Sequence, residues 1–172
     1  MKYTVEYLKQ SYYYRGWIIS EFASLEKQIE TFIMKEMDVL DSCGYEMQTI
    51  ILDRLTFEAK RASLKTILED KFNRAGFQKT TRNSYPFKSL LIELNQLNEL
   101  RNQFAHYTLR CNFYPEEKDK EFVISLAKYR DQFSFIDFTR DDIEKILVRI
   151  VKANEQLENY LGKVNLDNNL PF

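Results

Sequence analysis

"PFKSLLIELNQLNELRNQFAHYT", residues 86–108, decides how the chain is read. At about 100° per residue, a helix places Leu90, Leu94, Leu97, Leu100, Phe104 and Tyr107 on one side. That stripe predicts a core-facing helix from about Pro86 to Thr108, with Pro86 in its first turn. Asn95, Glu99, Asn102 and His106 fall on the opposite side. His106, the only histidine of the chain, therefore lies away from the core. Arg101 sits at the flank of the stripe, about 140° round from His106.

Working outward, the same spacing recurs. Ile18, Phe22, Leu25, Ile29, Phe32, Ile33 and Met37 repeat at helical intervals and predict a first long helix over 14–40. "DSCGYE" at 41–46 reads as a turn. Met47 to Leu55 is apolar without deciding between a helical piece and a connection. "TFEAKRASLKTILEDKFNR", 56–74, predicts a second helix carrying Ala59, Ala62, Leu64, Ile67, Leu68 and Phe72. "AGFQKTTRNSYPF" is a loop in which Gly76 suits a helix C-cap. "RCNFYPEEKDK" is a polar connection, and "EFVISLAKYRDQFSFIDFT" has the β-branched and aromatic content of two short strands in a hairpin. Thr139 followed by Asp142 has the form of a capping box opening a last helix, 143–161, which Gly162 would end.

Together these elements predict a mostly α-helical (all-α) fold, an up-and-down bundle of four to five helices with a short β-hairpin before the last one. The 172 residues, 44% hydrophobic and 30% charged, suit a single domain with its core in about 14–162 and a loose tail at 163–172. The longest apolar runs are far short of the roughly 20 residues that cross a bilayer. "MKYTVEYLKQ" has neither a basic region followed by an apolar stretch nor a cleavage site, so a cytoplasmic location is expected. Cys43 and Cys111 lack a second thiol or a histidine at ligand spacing, and both are read as reduced thiols with no metal bound.

The net charge is -1, which argues against a protein that coats nucleic acid. Its distribution is uneven, because residues 54–88 hold nine basic and three acidic side chains. Lys60, Arg61, Lys65, Lys79 and Arg82 of this segment are candidates for contact with RNA phosphates, and a solvated helix face is the equal alternative. "YYYRGW", 12–17, places four aromatics in six positions. They cannot all face one side of a helix, so some are exposed to a partner chain or to bases, with packing or a dimer contact favoured.

Arg101, Asn102 and His106 are the candidate catalytic residues. An arginine four to six positions before a given histidine arises by chance in roughly one protein in six, so spacing alone is weak evidence. "LRNQFAH" matches more than spacing: a polar residue follows the arginine, an alanine precedes the histidine, and a leucine-rich helix leads in. In this the chain resembles the HEPN domains, compact helical domains whose ribonuclease members carry arginine, a polar residue, a short variable stretch and histidine. The resemblance covers about residues 14–162. It implies a metal-independent endoribonuclease without a cofactor, cutting RNA by attack of the 2′-hydroxyl on the adjacent phosphate. His106 would be the general acid or base, Arg101 would hold the phosphate, and Asn102 would orient the imidazole or bond the phosphate. It further implies a homodimer whose two motifs face one cleft, a role as a toxin or antiviral defence effector, and an antitoxin protein as a possible partner. Two other readings stay open: a non-catalytic helical dimer that binds RNA, nucleotide or protein, and a plain interaction module.

Overall fold

The computed structural model describes residues 2–37, 43–74, 87–109, 123–129 and 133–164. Most of them are helical. The order is α1 (Lys2–Glu36), a short α2 (Gly44–Glu46), a π-helical turn (Met47–Ile51), a 3-10 turn (Leu52–Arg54), α3 (Phe57–Arg74), α4 (Lys88–His106), β1 (Thr108–Leu109), β2 (Val123–Lys128), β3 (Ser134–Thr139) and α5 (Arg140–Val164). The fold is thus the expected helical one with a hairpin before the last helix. Gly76, Pro86, Cys111, the polar connection around Pro115 and the tail beyond 164 lie outside the described residues.

The hairpin is antiparallel and pairs Val123 with Thr139 through Lys128 with Ser134. Thr108 and Leu109 add a third strand on the other edge of β2, opposite Ala127 and Leu126, where the sequence suggested the end of a helix. α1 begins twelve residues before the expected Tyr14. Its buried stripe passes through Tyr7 and Ser11 before reaching Ile18, and a serine in a core position interrupts the apolar pattern. α5 starts at Arg140 rather than Ile143 and runs through Gly162 to Val164, since one glycine in a last turn costs only about 1 kcal/mol relative to alanine.

Contacts gather the chain into two compact units: Met1–Phe22 with Glu99–Val151, and Ala23–Asn98 with Lys152–Phe172. α1, α4 and α5 each contribute a segment to both. In the first unit the buried side chains include Ile18 and Phe22 of α1, Phe104 of α4, Ile124, Leu126 and Phe138 of the sheet, and Ile143, Ile146 and Ile150 of α5. In the second they come from Leu25, Ile29 and Phe32 of α1, Leu64, Leu68 and Phe72 of α3, Leu90, Leu94 and Leu97 of α4, and Leu157 of α5. Gln28 and Glu158 join α1 to α5 there at 2.9 Å.

The capping box forms as its residues suggested. Asp142 accepts from the Thr139 amide at 3.0 Å, while the Asp142 amide donates to the Thr139 hydroxyl at 3.1 Å. Two of the first N–H groups of α5 are thereby satisfied. The bonds from the Thr139 backbone and hydroxyl hold the Asp142 carboxyl below its ordinary range.

Candidate functional site

A helix leaves its last four carbonyls without a partner inside the helix, so the end of α4 has to be finished by other groups. Arg15 does this. Its Nε donates to the carbonyl of Phe104 at 2.6 Å and a terminal nitrogen donates to that of Ala105 at 3.1 Å. The guanidinium also puts a positive charge at the negative end of the helix. From the inside, the fully buried Phe104 ring meets Phe138 of β3 with centroids 4.8 Å apart. The last turn is therefore held at its end by a cation and on its core face by a ring.

His106 is the final residue of that turn, and its side chain is exposed. Asn102, one turn earlier on the same face, is exposed too. Arg101 is half-buried at the flank, as the helical projection places it, and its guanidinium reaches round to donate to Asn102 Oδ1 at 3.3 Å. Arg101 thus touches Asn102, and Asn102 neighbours His106. Of the predicted core stripe, Leu90, Leu94, Leu97 and Phe104 are fully buried, while Leu100 and Tyr107 are only partly covered.

No family model, no curated protein and no solved structure matches the chain.

The chemistry available at this helix end is that of an accessible imidazole, an amide and a fixed cation. An imidazole exchanges protons near neutrality, and a guanidinium holds an oxyanion through paired N–H groups. Arg15, which anchors the turn, escaped the sequence reading. One signal for it exists: it is the only charged residue between Lys9 and Glu21, set in a run of aromatics where a lone cation has to find acceptors.

Among the described residues of the basic segment, Lys60, Arg61, Lys65, Lys71 and Arg74 each lie beside a carboxylate. Lys60 is buried, with its ammonium 2.5 Å from both Glu26 and Glu30, so it faces carboxylates and not a phosphate. Its place in α3 explains the burial, for Phe57, Lys60, Leu64, Leu68 and Phe72 form one stripe at helical spacing. Burial pushes the Glu30 carboxyl up, but hydrogen bonds from Lys60, Gln48 and Lys27 outweigh it and leave the group below its usual value. Burial likewise pulls Lys60 down, and the two glutamates outweigh it and raise it. Arg61 is clamped to Glu58 by bonds of 2.8 and 2.6 Å. Lys65 is half-exposed and lies 3.9 Å from Glu69. Lys71 pairs with Glu36, and Arg74 with Asp70 at 2.8 Å. Lys79 and Arg82 lie outside the described residues. Cys43 is an exposed free thiol.

No helix among the described residues is long and apolar enough to cross a membrane.

Proposed function

We propose that the chain is a metal-independent endoribonuclease of HEPN type that works as a homodimer in the cytoplasm, as a toxin or defence effector. The observation that carries this reading is the helix end itself: Asn102 and His106 stand exposed on one face of a turn that Arg15 and Phe104 hold, with Arg101 bonded to Asn102. Two such ends facing each other would supply two imidazoles and two guanidinium groups around one phosphate. One His106 takes the proton of the RNA 2′-hydroxyl as its oxygen forms a bond to phosphorus. The bond from phosphorus to the 5′-oxygen breaks, and the second His106 gives that oxygen a proton. The products are a 2′,3′-cyclic phosphate and a 5′-hydroxyl. Arg101 stabilises the negative charge that grows on the non-bridging oxygens, and Asn102 orients the imidazole.

Mixed RNA incubated with the purified protein in excess chelator tests this. Cleavage should leave 5′-hydroxyl ends and should be lost in both His106→Ala and Arg101→Ala proteins that unfold at the wild-type urea midpoint. Intact RNA with the wild-type protein, or undiminished cleavage by either variant, would overturn the reading. The exposed rings of Tyr12, Tyr13 and Trp17 favour a second reading, a helical dimer that binds RNA without cutting it. RNA retention by the wild-type protein with no cleavage at any concentration would select that one.

A further inference from the structure

In the first unit a cavity of about 300 Å³ is lined by Lys9, Gln10, Tyr13 and Tyr14 of α1 and by Arg140, the first residue of α5. The four α1 residues are spaced at i, i+1, i+4 and i+5, so they share one side of the helix. Two cations, an amide and two phenol rings form the lining, and no carboxylate is among them. Tyr13 is 64% exposed. Its ring stands edge-on to Tyr14 at 5.5 Å, and Tyr14 stacks on Trp17 with centroids 6.4 Å apart and planes 21° from parallel. Contiguous exposed aromatics of this kind mark a surface that takes a partner.

The lining defines the ligand by chemistry. Flat rings favour a π-face, and paired cations favour a nearby negative charge. An acidic peptide would satisfy the cations and leave the rings idle. A nucleotide satisfies both, and the cavity lies at the lower end of the range that holds small ligands. The first turn of α5 carries Asp141 and Asp142, and the Asp142 carboxylate accepts from the Thr139 amide there, so negative charge already stands at that helix end and an incoming phosphate is held by the side chains of Lys9 and Arg140. Arg140 donates its Nε–H to Glu144 at 3.2 Å, and its terminal nitrogens carry four further N–H groups.

We propose that this pocket binds one nucleotide of a single RNA strand, with the base stacked on Tyr13 and a phosphate between Lys9 and Arg140. Gln10 presents its amide to the base edge. None of the lining residues belongs to the 101–106 stretch, so the pocket binds whether or not His106 performs chemistry.

Trp17 is the only tryptophan of the chain, and its emission reports on the ring cluster. The probe is 2′-O-methyl pentaadenylate, which lacks the free 2′-hydroxyl and cannot be cut by the proposed reaction; AMP and inorganic phosphate are titrated beside it. Pentaadenylate should change the emission saturably. Tyr13→Leu should weaken binding about tenfold, the effect of losing one stacked base. Lys9→Gln and Arg140→Gln should each flatten the dependence of log affinity on log salt by about 0.7. All three side chains lie on the surface, so the variants keep the wild-type fold, and far-UV circular dichroism verifies this. Strand binding with this pattern supports the proposal, and AMP binding in addition extends it to the free nucleotide. No strand binding, binding of AMP or phosphate without the strand, or strand affinity indifferent to all three substitutions overturns it. Strand binding by a protein that cuts no RNA would sink the ribonuclease reading alone, and RNA cleavage with no Tyr13 or Lys9 dependence of binding would sink the pocket alone.

Discussion

Arg15 lies 89 residues before the carbonyl that accepts its shorter hydrogen bond. Replacing it by methionine keeps the length of the stem but strands two carbonyls at the end of α4. The expected loss is about 1.5–3 kcal/mol, the worth of bonds to a charged donor, read as a lower urea midpoint. The RNA cleavage proposed for His106 should fall as well, with partial recovery in Arg15→Lys. Lys60 makes the opposite kind of case. Lys60→Met removes the ammonium that lies between the buried Glu30 and the partly covered Glu26 and should cost about 3 kcal/mol, since Glu30 keeps Lys27 and Gln48, whereas the triple change with Glu26→Gln and Glu30→Gln should cost less. The pH dependence follows from the directions of the shifts. Glu30 is lowered in the fold, so its stabilisation is present above the ordinary carboxylate value of 4.5 and is lost as pH falls through the folded value. Lys60 is raised, so its share is complete below 10.5 and disappears as pH climbs through the folded value. Between pH 7 and pH 3 the urea midpoint of the wild type should fall further than that of the triple variant, which lacks the Glu30 carboxyl. Neither residue was legible at its true value, because a charge reads as surface until the partners that bury it are known. Those partners are 30 or more positions away, in a different helix.

At the scale of elements, the sequence was most informative where a signal is local. The Thr139 capping box, the apolar spacing of α3 and the β-branched and aromatic content of the hairpin are carried by near neighbours, and the cap, the helix and the hairpin all appear in the structure, although of the expected α3 residues only Leu64, Leu68 and Phe72 are buried. Local signals failed where tertiary packing decided the outcome. Ser11 fills a core position in α1, so the first twelve residues of that helix did not read as amphipathic. Met47 to Arg54 winds through π and 3-10 turns that apolar periodicity does not encode. The strand at Thr108 and Leu109 depends on pairing with Leu126 and Ala127. Two substitutions probe these elements. A methyl group added at Gly16, within α1, meets nothing within 4 Å, so Gly16→Ala should raise stability by about 0.5–1 kcal/mol. Thr139→Ala removes the cap of α5 and should lower it by about 1 kcal/mol. Thermal melts of the two proteins should shift in opposite directions.

At the scale of the whole molecule, the proposed site needs two chains, and mixing tests that. The proposed cleft uses both histidines, so a dimer of one wild-type chain and one His106→Ala chain should be inactive. Equimolar unfolding and refolding of the two proteins together makes half the dimers mixed, so activity should fall to about half of what the same proteins give when kept apart. Undiminished activity from a mixture that exchanges subunits would place the whole device within one chain. The residues of the motif were legible from the outset because arginine, asparagine and histidine occur together in one short stretch. Their support was not, since it comes from the far end of the chain. A chain could therefore keep "LRNQFAH" letter for letter, lose the arginine of "YYYRGW", and be scored as active by any search that reads only the motif. Such a chain would carry an intact signature on an unfinished helix, its support gone at position 15 while position 106 stays unchanged.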